Sequence, residues 1–482
     1  MGCTAIAPDL SATERARFVI EHLPPGLFRT VDADASTSAS VAWRVSPEPF
    51  ALAPATLERI RALGPDLLAF YRALSALYTR SARGTAPDFI AEYLDRGKPE
   101  HVIKLARQNR FKADVPHVIR PDLILTEGGG FIASELDSIP GGMGFVAAMA
   151  QTYCEIGFDT VGETDGMANS FSAMLAATSG LARPVVAIVV SEESADYRNE
   201  LRLLAEKMRA RDLAQAYVCL PQDIVFTEDA LFVRLEDGRE EKIDVLYRNF
   251  EMFDLLNVPK QELMLYAARH NRVKMTPPPK AQLEEKSAFA LLHHSQLKSL
   301  WIKELGSALF ERLRLVFPQT WVLDPRPLPA HASITGLTVG GDPVRDWMEL
   351  EALGKSERDY VVKPSGFSEL AWGSRGVRIA NDLTKEQWHD ALASALALFD
   401  KTPHILQRFH KGRRVTVEYL DTKTDALKPM DGRVRLTPYF FVVGDETQLG
   451  GILATIAPAD KRLIHGMSDA IMAPCAVSDG GA

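Results

Sequence analysis

Pro184 is followed by VVAIVV, an unbroken apolar run of the kind buried on both faces of a sheet. The helical stretch SADYRNELRLLAEKMRARD comes next, and AYVCL closes the pattern as a second strand. Strand, helix and strand in that order predict a βαβ unit and therefore a parallel sheet. FTEDALFVRLEDGREEKIDVLYRNF then reads as a hairpin turned at Asp237-Gly238 that feeds another buried strand, ending near Arg248. Pro277–Pro279 stop this unit. The chain belongs to the α/β class.

Its 482 residues make two or three domains' worth of chain. Residues 1–110 read mostly as helix, because PATLERIRALGPDLLAFYRALSALYTRSA spaces its apolar residues three and four apart. The remaining segments are 111–183, which opens with a hairpin, the parallel-sheet unit 184–276, and 277–482. With 55 basic and 63 acidic side chains the net charge is −8, which does not favour nucleic acid as a partner. The longest apolar runs are far shorter than a membrane span. The first residues carry no basic region of a signal peptide and lack the Ser or Thr of a myristoylation pattern. The four cysteines are far apart and form no CxxC, which predicts no disulfide framework, no zinc site and a reducing, cytoplasmic setting, and Cys154 and Cys219, in apolar runs, read as packed thiols. The histidines, including His293, His294, His404 and His410, show no zinc spacing; His465 alone is kept as a substrate contact.

Three stretches carry chemistry. In DYVVKPSGFSELAWGSRGVRIA a strand delivers Lys363 to a Gly/Ser-rich turn containing Arg375 and Gly376, and a second strand follows. A lysine at a strand end beside such a turn suits an anionic ligand, since the ammonium is a point charge and glycines let backbone N–H groups approach phosphate. An ordinary hairpin with a surface lysine fits the segment as well. In RPDLILTEGGGFIASELDSIPGG two strands meet at a Gly128–Gly130 turn, with Glu135 and Asp137 on one strand face. Two carboxylates near phosphates suit Mg²⁺, though paired acids are more often a solvated face. In VRLTPYFFVVGDETQLGGILATIAPADKRLIHGMSDA the small residues Leu449–Ile456, followed by Lys461, Arg462 and His465, suit a lid over a charged substrate, although the segment alone fits an edge hairpin with a solvated basic loop better.

Taken in order, these stretches resemble the ATP-grasp superfamily in its circularly permuted form, as in eukaryotic-type glutathione synthetases and, more distantly, glutathionylspermidine-synthetase-type ligases. SELDSIPGGMGF looks like the family's metal-binding IEFNTISASFGG segment, with Glu135 on the glutamate and Asp137 where asparagine would be. VVKPSGFSE looks like the VLKPQREGGG-like strand, with Glu369 two residues beyond the position of the family's third metal ligand. Lys286 falls at the first nucleotide lysine, with Lys280 as a competitor. HILQRF resembles the strand leading to the adenine hinge, and LGGILATIAPAD the glycine-rich lid.

The resemblance implies an α/β (α+β) ATP-grasp fold, permuted, with an inserted Rossmann-like substrate domain and a helical N-terminal region. ATP and Mg²⁺ are the implied cofactors. Lys286, Lys363, the backbone of Gln407, Arg408 and Phe409, and Gly450 and Gly451 would hold the nucleotide. Glu135, Asp137 and Glu369 would hold the metal, and Arg120 and Arg375 would act on substrate. The hairpin with Glu135 and Asp137 is expected to share a sheet with the strand of Lys363. The activity implied is carboxylate–amine ligation through an acyl phosphate, on small-molecule substrates, with a homo-oligomer possible. A nucleotide-binding protein without ligase activity and a phosphotransferase on the same fold stay open beside it. Residues 1–110 have no counterpart in the family.

Overall fold

The computed structural model describes residues 4–24, 26–27, 43–371, 373, 375–464 and 469–478. Internal contacts divide the chain into two units, each assembled from separated segments: residues 1–68, 116–278 and 411–482 in the first, 69–115 and 279–410 in the second. The chain passes from one to the other within the helix Pro54–Ala82, which continues through Pro65.

The first unit is built on a seven-stranded sheet. Phe50–Leu52 pairs in parallel with Ile471–Val477, and antiparallel partners follow in the order Glu446–Pro458, Ala426–Val443, Val118–Leu125 and Phe131–Asp137. Arg414–Asp421 pairs with the first half of Ala426–Val443. The early hairpin Val118–Leu125/Phe131–Asp137 therefore lies beside the last strands of the chain. Its turn is the expected glycine turn, with Gly129 at φ +76°. Contrary to the expectation of a shared sheet, the strand of Lys363 lies in another sheet, in the second unit.

The expected lid is also absent as a loop. Residues 449–456 form the interior of Glu446–Pro458, a mostly buried strand paired with Ala426–Val443 and, over Leu453–Ile456, with Ile471–Val477 as well. Gly450 sits at a bulge, where Tyr439 faces Gly451 and Phe440 faces Leu449. A Cβ on Gly450 would stand 2.6 Å from the Phe441 ring, and one on Gly162 would stand 2.1 Å from the Gly450 carbonyl oxygen. The small residues thus let the helix Gly166–Ser179 and the loop before it close onto the sheet. Small side chains read as mobility serve close packing instead. Val146, Met149, Phe171, Tyr439, Phe441 and Leu453 form part of the resulting core, each such side chain contributing roughly 1.5–3 kcal/mol on burial.

The parallel sheet read from VVAIVV is present, in the order Lys274–Thr276, Val245–Asn249, Val185–Val190 and Gln215–Cys219. Arg198–Ala210 is its crossover helix and buries Leu201, Leu204, Ala205 and Met208. Arg248, fully buried at the end of one strand, donates to the carbonyls of Phe250, Pro277 and Pro278 and fixes the proline segment. Cys154, expected as a packed thiol, is disulfide-bonded, while Cys219 and Cys475 are free and buried. The reducing setting read from the cysteine count loses that support. No helix among the described residues is long and apolar enough to cross a membrane.

The second unit holds a four-stranded antiparallel sheet in the order Thr320–Val322, His404–Arg408, Tyr360–Pro364 and Arg378–Ile379. The hairpin read around Lys363 is therefore real. Tyr360–Pro364 is buried along its whole length. Val362 and Leu406 pack with Leu350, Trp388 and Leu392. The helix Lys385–Ala397 starts at a capping box made by Thr384 and Gln387. Elsewhere in this unit Phe70 stacks on Trp301, with ring centroids 5.6 Å apart.

Candidate functional site

In the second unit the two expected nucleotide lysines come together. Lys363 is buried, and its Nζ donates to Gln407 Oε1 at 2.9 Å; Gln407 Nε2 donates onward to Thr320 Oγ1 at 3.2 Å. The three residues sit on adjacent strands, so the sheet register sets the lysine's direction. Lys286 is docked beside them by the turn that follows Lys363. Its amide donates to the Ser365 carbonyl at 2.8 Å, the next amide donates to Ser365 Oγ at 2.9 Å, and Lys286 Nζ donates to the Ala371 carbonyl at 3.0 Å. Lys280 is placed elsewhere: its buried ammonium bonds Ser75 Oγ and the Asp114 carbonyl, and burial pushes it down to about 8.

A buried acid organises this turn. Glu285 accepts from the Lys98 ammonium and the Ser365 hydroxyl, and from the Phe367 amide at 3.2 Å. The Lys98 and Glu285 side chains are both 1% exposed. A Cβ on Gly366 would stand 2.7 Å from the Glu285 carboxylate, so the turn closes this tightly only with glycine there. Neither Lys98 nor Glu285 stood out in the sequence. The acid directly before Lys286 was a possible signal, but its partner is 187 residues earlier.

The adenine-hinge expectation meets a different geometry. The amides of Arg408 and Phe409 donate to the carbonyls of Gln319 and Asp359, at 2.8 and 2.9 Å. The Arg408 guanidinium lies over the Tyr360 ring, 4.6 Å from its centroid. Gln407 serves through its side chain, as the acceptor for Lys363. Glu369 and Arg375 are exposed in the turn after Lys363. Gly450 and Gly451 belong to the first unit's sheet core and offer no phosphate loop. His465 lies outside the described residues. His293, His294, His404 and His410 are all pushed below the usual histidine range by burial.

In the first unit the early hairpin gathers acids around one arginine. Arg120 faces Asp137 across the ladder, and Asp122 faces Glu135. Arg120 Nη2 stands 2.9 Å from Asp137 Oδ2, and Arg120 Nε stands 3.6 Å from Asp122 Oδ1. Asp137 Oδ1 accepts the Ile139 amide at 2.8 Å. Asp122 also takes Arg435 at 3.0 Å and Thr437 Oγ1 at 3.4 Å. Burial pushes the Asp137 carboxyl up; the Arg120 charge pulls it back and the nearby Glu135 adds to the rise. Glu135 and Asp137 are thus close neighbours, as expected for i, i+2 on a strand.

This donor set does not fit a magnesium ion as it stands. Both Asp137 oxygens are engaged, one by a guanidinium at contact distance, and a metal there would have to displace that cation. Among the described residues no three acid, histidine or cysteine side chains are grouped to hold a metal.

Beside this cluster the Gly141-Gly142 turn leads into the helix Met143–Glu155. Its first amides, at Gly142 and Phe145, donate to the buried Glu200 carboxylate at 2.6 and 2.9 Å. Burial pushes that carboxyl up to about 7 against those bonds. Tyr439 Oη donates to the Gly141 carbonyl at 2.8 Å, and the Tyr197 ring covers Gly141 so closely that a Cβ would stand 2.1 Å from it. Glu200, Tyr197, Tyr439 and Arg435 carried no motif in the sequence, because only the fold brings them to this turn. A separate groove of about 470 Å³, lined by residues 46–51 and by Arg413 and Val415–Glu418, contains none of the expected site residues.

No family model matches this chain, and no curated protein does. Its fold is similar to that of a glutathione synthetase-like effector, GSS30, from Globodera pallida, with TM-score 0.55 and 12% identity over 98% of this chain and 100% of that one. A "Putative gamma-glutamylcysteine synthetase" from Methylobacillus flagellatus KT gives TM-score 0.40 and 12% identity over 82% and 85% of the two chains, an overlap too loose to carry an argument. At this identity the first likeness speaks for architecture alone: the chain has a glutathione synthetase-like fold, consistent with the ATP-grasp type.

Proposed function

We propose that this chain is an ATP-dependent ligase joining a small carboxylate to an amine, on a circularly permuted ATP-grasp fold. The observation that carries the reading is the docking of Lys286 and Lys363 around Ser365, two cations held in one small region by a sheet and a glycine turn. In such a reaction a carboxylate oxygen attacks the γ-phosphorus of ATP and ADP leaves. The amine nitrogen then attacks the acyl carbon, and phosphate is expelled. Positioning and charge neutralisation carry most of this work. Lys286 and Lys363 would meet phosphate oxygens, with Gln407 holding the Lys363 ammonium in direction through a neutral acceptor, which orients charge without cancelling it. Arg375, exposed in the adjoining turn, would meet the developing charge on the transferred group. Arg120 is assigned no substrate contact, because Asp122 and Asp137 already take its charge.

The test is ADP release by the full chain, with ATP and Mg²⁺, against a panel of small carboxylates and amines. Release of ADP and free phosphate that requires both substrates supports a ligase. Binding of ATP without turnover makes the chain a nucleotide-binding protein, and phosphate retained on the product makes it a phosphotransferase.

A further inference from the structure

We infer that in this chain a guanidinium, Arg120, takes the place of a divalent cation at the carboxylates of the early hairpin. The inference holds whether or not the chain is a ligase. Three acids, Asp122, Glu135 and Asp137, lie on neighbouring register positions of one two-stranded ladder. Acids collected this way on a partly buried surface need a cation, because like charges in a poorly solvated site repel and drive each other to protonate. Magnesium would be one answer, as it needs only one or two carboxylates and keeps its waters. The structure holds another. Arg120, from the same ladder, is 16% exposed and sits 2.9 Å from Asp137 and 3.6 Å from Asp122.

The surroundings are built for an arginine. Its Nη1 lies 3.5 Å from the Gly141 carbonyl, which Tyr439 also holds, and Asp122 is fixed from its other side by Arg435. Asp137 completes its own valence with the Ile139 amide. The planar guanidinium pairs closely with Asp137, reaches the Gly141 carbonyl and stands within ion-pair range of Asp122, a spread that a compact ammonium does not cover. Two arginines thus already stand against the three acids, and a divalent ion competes with a tethered cation that loses no entropy on capture.

Mn²⁺ is the probe, counted by electron paramagnetic resonance on the full chain without nucleotide. The wild type is expected to show no Mn²⁺ affinity that depends on Asp137, so Asp137→Ala leaves the titration unchanged. Arg120→Met removes the internal cation and leaves the acids together. It should tighten Mn²⁺ binding by at least about tenfold, since affinity follows the charge on the ligands. Repeating the titration with the ATP analogue AMP-PNP separates this from the ligase reading. Metal that travels on the nucleotide is insensitive to Asp137→Ala, and failure of AMP-PNP to bind counts against the ligase while leaving the first titrations decisive. The inference is overturned if wild-type binding falls tenfold in Asp137→Ala, or if folded Arg120→Met gains nothing. Should Arg120→Met fail to fold, the wild type and Asp137→Ala decide alone.

Discussion

The two regions singled out by the sequence use buried charge for different ends. In the first unit, acids and arginines of the early hairpin and its neighbouring strand pair among themselves: Arg120 with Asp122 and Asp137, Arg435 with Asp122. In the second unit Lys363 donates to the Gln407 amide oxygen and Lys286 to the Ala371 carbonyl, and the backbone of Lys286 is bound to the Ser365 turn. Glu285, directly before Lys286, is turned inward to Lys98 and to that turn. In the first region the arginines are bound to carboxylates of the same sheet; in the second a buried ion pair builds a turn that positions two lysines.

The strongest way to break this comparison is to remove Glu285. Glu285→Ala leaves the Lys98 ammonium buried without its partner, and such a loss costs about 3–5 kcal/mol. Thermal unfolding should show it as a large drop in Tm of the second unit. An unchanged Tm would mean that the inward-facing acid is not what builds the turn.

Next comes the pH dependence of Glu200. Its carboxyl is raised to about 7 from an ordinary 4.5, so between those values the folded state holds a proton that the unfolded state has released. Stability contributed by the neutral form is complete at low pH and falls as pH rises from about 4.5 to 7, by at most about 3 kcal/mol at 1.36 kcal/mol per unit. Melting temperature measured from pH 5 to 8 should decline across that window in the wild type, and less steeply in Glu200→Gln. Four buried histidines push the other way, so the difference between the two curves carries the test, and a Glu200→Gln curve parallel to the wild type contradicts this assignment.

A smaller effect is expected at Lys363. Lys363→Met keeps the buried stem and removes the charge. ATP-analogue affinity measured by calorimetry should fall by about tenfold or more, equal to about 1.4 kcal/mol, while Tm shifts by only a few degrees. A heavy loss of stability with unchanged affinity would make the lysine structural and erase the contrast.

The smallest expected effect concerns the strand once read as a lid. It is paired with Ala426–Val443 along most of its length and with Ile471–Val477 over Leu453–Ile456, so hydrogen exchange across Leu453–Ile456 should be slow with or without AMP-PNP. Protection that appears only with nucleotide would restore a mobile lid.

What could be read from the sequence follows from what is local. The βαβ unit, the glycine turn at Gly129 and the hairpin around Lys363 rest on runs of adjacent residues, and each appears where the pattern put it. The juxtaposition of Lys286 with Lys363 was reached through family resemblance, since no spacing rule links the two. Leu449–Ile456 misled because small residues suit a loose loop and a tightly packed strand equally; the decision came from Met167, Phe441 and the glycine turn at Gly162 pressing on them. The fate of Asp137 was hidden for a similar reason. An acid two residues from another looks like a metal ligand until the strand opposite is known to carry Arg120 in register.

A crystal structure of the full chain with AMP-PNP and Mg²⁺ tests the central contrast most directly. The account predicts phosphate oxygens in contact with Nζ of Lys363 and Lys286, the Glu285 turn unchanged, and Arg120 still paired with Asp137. A triphosphate lying away from both lysines, or a magnesium ion seated on Asp137 with Arg120 displaced, would contradict it.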